Sequence, residues 1–165
     1  MKFAIMSDCH DNWVNLEKAV NIANEKKCSY LLFAGDFISP LGIDLFEKFR
    51  GDVKIVWGNN EAEKNGMMKR ISATKNVELC GDLFEGIISG CKIFMNHYPR
   101  FAQLAAKSKE YDLCIYGHTH EYYSELIGQT LLINPGEIHG YKTGEVGFVI
   151  YNMDTNETQR VIINK

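Results

Sequence analysis

The chain is divided into short apolar runs of four to seven residues, many of which end at glycine, asparagine or an acid. Runs of this length that are rich in Ile, Val, Phe and Tyr are typical of β-strands, several of them buried on both faces. We predict strands over residues 2–7, 30–34, 53–57, 83–89, 92–95, 113–116, 122–127, 130–133, 147–151 and 158–163.

Helical patterns lie between the early runs. The first helix is predicted from apolar residues at i, i+3, i+7 and i+10, which are Trp13, Leu16, Val20 and Ala23. Ser39 is predicted as the N-cap of a second helix and Pro40 as its first residue, followed by an apolar stripe at Leu41, Leu45, Phe46 and Phe49. Two more helices are predicted over residues 62–71 and about 100–109.

The second half of the chain is mostly β. Ser89-Gly90, Gly128-Gln129 and residues 154–156 separate neighbouring runs closely enough for hairpins. The first half reads β-α-β-α-β, so both halves fit an α/β domain with two packed sheets flanked by helices. We predict one such domain over residues 1–165.

Composition and charge restrict the binding partners and the cellular location that we expect for the chain. The formal charge is −3 and the pI about 5.9, so there is no basic footprint for a nucleic acid polymer or an anionic membrane. The N-terminal apolar run meets Asp8 too soon for a signal peptide or a membrane span. The five cysteines include no C-x-x-C pair, which favours a reducing cytoplasm.

Seven side chains that can bind metals follow directly after predicted strands: Asp8 and His10, Asp36, Asn59, His97, and His118 with His120. In open α/β sheets, ligands collect at the carboxyl ends of the strands. The i, i+2 spacing predicts Asp8 and His10 on the same side of an extended segment, and His118 and His120 likewise. Cys9 then points away, which argues against a thiolate ligand.

This set of donors also restricts the metal. Imidazole, carboxylate and amide oxygen without thiolate suit Mn²⁺, Fe²⁺, Ni²⁺, Zn²⁺ or Mg²⁺. Seven donors are too many for one tetrahedral ion and suit two divalent ions that share a bridging carboxylate. The alternative is a buried polar network without metal, in which every member must find a hydrogen-bond partner.

In chain order, these segments resemble the motifs of the calcineurin-like metallophosphoesterase family, in particular its compact bacterial and archaeal phosphodiesterase branch. The family pattern D-x-H, G-D, G-N-x-[DE], H and G-H-x-H is matched by Asp8-Cys9-His10, Gly35-Asp36, Gly58-Asn59-Asn60-Glu61, His97 and Gly117-His118-Thr119-His120. Asn134-Pro135-Gly136 is similar to a turn found late in this branch. The resemblance covers essentially the whole chain.

The resemblance implies a four-layer α/β sandwich with two mixed β-sheets, and it divides the seven residues between two ions. The first ion would be held by Asp8, His10, Asp36 and His120. The second would be held by Asp36, Asn59, His97 and His118, with Asp36 as the bridge. The expected activity is hydrolysis of a small phosphate ester, most simply a phosphodiester, by in-line attack of a hydroxide that bridges the metals. Asp36, Asn59, Asn60 and His97 are the residues expected to act in catalysis.

Asn60 departs from the family pattern. Many larger relatives carry His at this position, and this branch often carries Cys. Asn can donate a hydrogen bond but cannot act as a general acid, so either good leaving groups are favoured or a water or another side chain supplies the proton. His139 is a candidate acid if its loop returns to the site, and otherwise it is an exposed loop residue. Arg100, close to His97 in sequence, either assists phosphate binding or is a solvated charge at a helix start.

Two other functions stay open from the sequence. One is a metal-stabilised protein-interaction scaffold with weak or no activity, since a related branch is a subunit of an endosomal protein-sorting complex with a degraded site. The other is a nuclease, which the missing basic stripe disfavours. A homodimer or a higher homo-oligomer is a further hypothesis.

Overall fold

This computed structural model describes residues 1–163, which contain eleven strands and four α-helices. In chain order they are β1 Lys2–Met6, α1 Trp13–Glu25, β2 Tyr30–Phe33, α2 Ile43–Glu47, β3 Asp52–Ile55, α3 Lys64–Ile71, β4 Val77–Leu79, β5 Leu83–Ile88, β6 Cys91–Asn96, α4 Pro99–Ser108, β7 Leu113–Ile115, β8 Tyr123–Ile127, β9 Thr130–Asn134, β10 Gly147–Asn152 and β11 Glu157–Ile162. A 3₁₀ turn, Pro40–Gly42, precedes α2. All ten predicted strands are present, and so are the predicted first, third and fourth helices.

The strands form two mixed sheets. The first has the order β11-β10-β1-β2-β3-β4, with parallel pairing from β1 to β4 and antiparallel pairing at β10 and β11. The second has the order β5-β6-β7-β9-β8, in which β6, β7 and β9 are parallel. The hairpins β5–β6, β8–β9 and β10–β11 turn where the sequence predicted. The carboxyl ends of β1, β2 and β3 therefore meet at one edge.

Successive side chains of the central strands point to opposite faces of the sheet, and this alternation produces the layers. Ala4 and Met6 of β1 face a core shared with α1, α2 and α3, whereas Phe3 and Ile5 face the second sheet. Helix α4 covers the other face of the second sheet through Ala102 and Ala106. Because adjacent side chains in a strand point to opposite faces, each sheet is buried on both sides. The predicted four-layer α/β sandwich is confirmed.

One strand was not predicted, and one helix was predicted with the wrong type and length. Strand β4 was missed because it has only three residues at a sheet edge, too few to show a pattern. The helix predicted from Pro40 to Phe49 is a 3₁₀ turn followed by the five-residue α2. Ser39 precedes that turn without a side-chain capping bond, and Leu41 is 61% exposed rather than part of the core.

The prediction of one domain over residues 1–165 stays a prediction, and its last two residues, 164 and 165, lie outside the described residues. Within residues 1–163, no helix combines the length and the apolar character needed to cross a membrane.

Candidate metal centre

The two sheets bring all seven predicted ligand residues to one edge of the molecule. Asp8, Asp36 and Asn59 follow β1, β2 and β3 of the first sheet, and His97 follows β6 of the second. His118 and His120 follow β7, the strand beside β6. The site therefore spans the interface between the sheets, and each sheet supplies part of it.

Asp36 lies in the middle of this group. Its Oδ2 atom is 3.4 Å from Nε2 of His10 and 3.5 Å from Nε2 of His97. Its Oδ1 atom accepts hydrogen bonds from the backbone N–H groups of Asn59, at 2.8 Å, and Asn60, at 2.9 Å. The carboxylate is almost fully buried. Asp36 thus contacts a histidine from each sheet, and it is the carboxylate that lies beside both His10 and His97.

Asp8, His10 and His120, here called the Asp8 side, form a compact group of possible ligands. Oδ1 of Asp8 is 3.8 Å from Nε2 of His10 and 3.4 Å from Nε2 of His120. Among residues 1–163, Asp8 Oδ1 and His10 Nε2 are buried side-chain atoms without a hydrogen-bond partner. Buried polar atoms are rarely left in this state, and a bound cation would satisfy both.

Asn59, His97 and His118, here called the Asn59 side, contact one another directly. Oδ1 of Asn59 is 3.0 Å from Nε2 of His97 and 2.8 Å from Nδ1 of His118. His97 is completely buried, and its Nδ1–H donates to the Ala34 carbonyl at 2.7 Å. That contact turns Nε2 towards Asn59 and Asp36. Asn59 and His118 are exposed, so solvent and substrate can reach this side.

The histidines and carboxylates of the cluster shift one another's pKa values. Burial works against ionisation of both His97 and Asp36, but their mutual contact raises the pKa of His97 and holds the pKa of Asp36 well below its usual range. The Asp8 carboxylate raises the pKa of His10. Burial, together with the nearby His97, lowers the pKa of His118. These carboxylates thus favour positive charge at the centre of the cluster.

Five of the ligand residues have left-handed backbone angles. Their φ values are 54° at Asp8, 43° at His10, 62° at Asp36, 67° at His118 and 68° at His120. This conformation is uncommon for residues other than glycine and persists where the surrounding structure enforces it. Here the backbone N–H groups of Cys9 and His10 both donate to the Asp36 carbonyl at 3.0 Å, which ties two of the loops together.

The extended geometry predicted for Asp8 and His10, and for His118 with His120, was therefore wrong, because all four residues have left-handed backbone angles. Cys9 is nevertheless directed away from the cluster. It is fully buried in the core beneath the helices, and burial raises the pKa of its thiol far above the usual range. A neutral buried thiol is a poor metal ligand.

Two glycines of the motifs are needed for close approach. A Cβ atom at Gly58 would overlap Oδ1 of Asp36, and one at Gly117 would overlap the Ser7 hydroxyl and approach Oδ2 of Asp8. The glycines that precede Asn59 and His118 therefore let the chain pass directly against the two carboxylates.

Asn60 and Glu61 both support Asp36. The Asn60 side-chain amide donates to Oδ2 of Asp36 at 2.7 Å, so it faces the carboxylate in this structure. Glu61, the acid of the G-N-x-[DE] motif, accepts from the backbone N–H groups of Asp36, at 2.7 Å, and Gly58, at 2.9 Å. The sequence analysis assigned no role to Glu61, although the motif contains it.

The loop that carries His139 does return to the site. The backbone N–H of His139 donates to the Asp8 carbonyl at 3.0 Å, and its ring lies 5.3 Å from the His10 ring. The side-chain amide of Asn12 also donates to the His139 carbonyl at 3.0 Å. Arg100, in contrast, is the exposed second residue of α4.

Glu137 is a residue that the sequence analysis missed. Its side chain is 1% exposed, and Oε2 lies 2.7 Å from Nδ1 of His120. Its other oxygen accepts from the backbone N–H and the hydroxyl of Thr143, at 2.6 and 2.7 Å. An acid directly before Ile138, after the apolar run of residues 131–133 and the Asn134-Pro135-Gly136 turn, was the available signal, since acids are almost never fully buried unless paired.

Comparison with known proteins identifies the family. A sequence model of the calcineurin-like phosphoesterase superfamily domain matches residues 1–156. The chain belongs to this superfamily. A phosphodiesterase of Methanocaldococcus jannaschii is 33% identical over 165 residues, which cover 99% of each chain. The chain thus belongs to the compact phosphodiesterase branch and is a hydrolase of phosphoric esters.

Solved structures share the same fold. An archaeal phosphodiesterase matches with a TM-score of 0.91 and 32% identity, covering 99% of this chain and 100% of that one. Wild-type Vps29 from Entamoeba histolytica, solved in complex with zinc, matches with a TM-score of 0.68 and 15% identity over 99% and 100% of the two chains. At that identity the second likeness concerns the fold alone.

Proposed function

We propose that this chain is a phosphodiesterase that needs two divalent ions and hydrolyses a small phosphate ester. Asp8, His10, Asp36 and His120 would hold the first ion, and Asp36, Asn59, His97 and His118 the second. The observation that carries the proposal is the pair of buried atoms, Asp8 Oδ1 and His10 Nε2, that lack any hydrogen-bond partner within residues 1–163. They lie 3.8 Å apart, and His10 Nε2 is 3.4 Å from Oδ2 of the shared Asp36.

The donor atoms suit hard and borderline divalent metals. They are carboxylate oxygens, imidazole nitrogens and one amide oxygen, and the nearest thiol, that of Cys9, is buried elsewhere. Such a set fits Mn²⁺, Ni²⁺, Fe²⁺, Zn²⁺ or Mg²⁺, of which Mn²⁺ and Ni²⁺ are the first to test. When bound, the two ions would supply the hydroxide for in-line attack on phosphorus and would neutralise charge on the phosphoryl oxygens.

The protein side chains would orient the ester. Asn59 directs its carbonyl oxygen to the two histidines, which leaves its exposed amide N–H groups to donate to a phosphoryl oxygen. The Ala34 carbonyl fixes the His97 ring, and Asn60 and Glu61 fix Asp36. Because Asn60 cannot supply a proton, the site favours esters whose leaving group departs readily.

Other parts of the proposal rest on the sequence alone. They are a single domain over residues 1–165, a cytoplasmic location, a homodimer or higher homo-oligomer, and the exclusion of membranes and nucleic acid polymers as partners. The formal charge of −3 supports a small substrate drawn in by metal ions rather than a polyanion bound along a basic surface.

The test is metal-dependent hydrolysis by protein purified without a chelating tag. We expect two ions per chain by elemental analysis, and hydrolysis of bis(4-nitrophenyl) phosphate by metal-stripped protein only after Mn²⁺ or Ni²⁺ is added. Asp36→Ala and His97→Ala should abolish the activity. Asp44→Asn, which changes an exposed acid paired with Arg70, is the matched control and should keep it.

Three outcomes separate the possible functions. Two ions with metal-dependent hydrolysis supports the proposal. Two ions without hydrolysis of any phosphodiester or phosphomonoester overturns the enzymatic part and favours the scaffold function. Folded protein that binds none of the five metals overturns the metal centre itself.

A further inference from the structure

We propose that Glu137 is a positioning residue for the first ion, which it serves through His120, and that it makes the Asp8 side the tighter of the two ion positions. The inference rests on the proposed function, because it concerns how strongly one of the two ions is held. Glu137 itself is not a ligand in this proposal.

The contact with His120 fixes which ring nitrogen carries the proton. A carboxylate oxygen can only accept, so Nδ1 of His120 must donate across the 2.7 Å contact to Oε2 of Glu137. In the neutral ring, Nε2 then has a free lone pair. That atom lies 3.4 Å from Oδ1 of Asp8, the buried oxygen without a partner. Glu137 thus turns the His120 lone pair towards the predicted cation position.

Glu137 is itself held firmly. Both donors of Thr143, its N–H and its hydroxyl, occupy the carboxylate oxygen that does not face His120. The following backbone N–H groups, of Ile138 and His139, donate to the carbonyls of Ser7 and Asp8 at 3.1 and 3.0 Å. The residue that orients His120 is therefore attached to the same loop that carries Asp8.

The Asn59 side has a weaker version of this arrangement. His97 is oriented by the neutral Ala34 carbonyl, at 2.7 Å from Nδ1. A charged acceptor forms a stronger hydrogen bond than a neutral one and makes the opposite ring nitrogen a better donor to a metal. Glu137 also adds a second buried negative charge beside Asp8, whereas Asn59, His97 and His118 bring none. Both differences favour tighter binding of a cation at the Asp8 side.

A purely structural role for Glu137 predicts different results. If the side chain only anchors Thr143, its loss lowers the stability of metal-free protein and leaves metal affinity unchanged. If it positions His120, its loss weakens the first ion in protein that is still folded. The proton on His120 gives a third readout, since only positioning requires the Nδ1–H form.

Calorimetric titration of metal-stripped protein with Mn²⁺ tests the inference directly. Glu137→Gln, which keeps the shape and removes the charge, should weaken binding of the first ion by about 10- to 100-fold. The matched control is Glu145→Gln, because Glu145 is an exposed acid in the same loop that pairs with Arg160. The affinity of this variant for the first Mn²⁺ should stay within about twofold of wild type. Equal affinities in wild type and Glu137→Gln would overturn the proposal.

Two further measurements keep the test decisive if Glu137→Gln does not fold. Glu137→Asp retains the charge but withdraws the carboxylate from His120, so it should also weaken the first ion. In wild-type, metal-free protein, ¹⁵N spectra of the histidines should show His120 as the Nδ1–H form, and the Nε2–H form would refute the inference. Wild-type protein that binds no ion would instead remove the proposed function, which separates the two failures.

Discussion

The Asp8 side and the Asn59 side of the candidate metal centre satisfy their polar atoms in different ways. Across the Asn59 side, one amide oxygen lies within 3.0 Å of both imidazole nitrogens, so the three side chains contact one another. Across the Asp8 side, Oδ1 of Asp8 and Nε2 of His10 are buried and lack a hydrogen-bond partner within residues 1–163. One side thus holds together through its own hydrogen bonds, while the other has polar atoms that a bound cation would satisfy.

If two ions bind as proposed, this difference predicts unequal affinities for them. An ion at the Asn59 side must replace contacts that already exist, whereas an ion at the Asp8 side relieves an unfavourable arrangement. Each side has one fully buried ligand residue, Asp8 or His97, but the other two are partly buried on the Asp8 side and exposed on the Asn59 side. The Asp8 side therefore suits a resident ion, and the Asn59 side suits an ion that arrives with, or is exposed to, the substrate.

The largest effect is expected where the two sides meet. Asp36→Asn removes the carboxylate that contacts both His10 and His97, so kcat/KM for a phosphodiester should fall by at least about 10³-fold at saturating Mn²⁺. Steady-state kinetics measure this loss. Activity within about tenfold of wild type would contradict a shared role for Asp36.

Removing one histidine from each side should separate their contributions. His10→Ala should lose the resident ion and lower kcat/KM by about 10²-fold or more, because the Asp8 side then keeps only Asp8 and His120 of its own. His118→Ala should retain one ion per chain after dialysis. Elemental analysis of the two variants is the measurement, and identical metal contents would break the comparison.

Titration of the unmodified protein should resolve two binding steps. We expect the first Mn²⁺ to bind at least about tenfold more tightly than the second, a difference of about 1.4 kcal/mol. Calorimetry on metal-stripped protein measures both steps. A single class of two equal sites would show that the different hydrogen bonding of the two sides has no consequence for affinity.

The smallest effect concerns stability without metal. Asp8→Asn removes a buried charge and places an amide that can donate to Nε2 of His120, so the free energy of unfolding should rise by about 1–2 kcal/mol in the presence of a chelator. Urea unfolding measures the change. Asp44→Asn should stay within about 0.5 kcal/mol of wild type, and a drop for Asp8→Asn would contradict the expected gain.

The fold was predictable because its strands are short, apolar and separated by clear turns. The predicted β-α-β-α-β order placed Asp8, Asp36 and Asn59 after neighbouring parallel strands, and the carboxyl ends of such strands must meet at one edge of the sheet. The short edge strand β4 and the 3₁₀ turn before α2 were not predictable, because neither has enough residues for a periodic pattern.

The geometry of the site was less predictable than the identity of its residues. Asp8 and His10 were grouped on the assumption of an extended segment, but left-handed turns bring them together, and these depend on tertiary hydrogen bonds such as that from His10 N–H to the Asp36 carbonyl. Glu137 was missed because its partner, His120, lies 17 residues away, so that no local spacing connects the two.

The placement of the ligands on two separate sheets has a practical consequence for engineering. Ala34 and Val56 of the first sheet pack against the layer that contains Ile115 of the second, so these apolar side chains set the spacing across which Asp36 faces His97. Because packed interiors transmit a change of even one methylene group, the thickness of this layer would set the distance between the two proposed ions. We therefore expect substitutions in this layer to change metal preference while all seven predicted ligand residues stay unchanged.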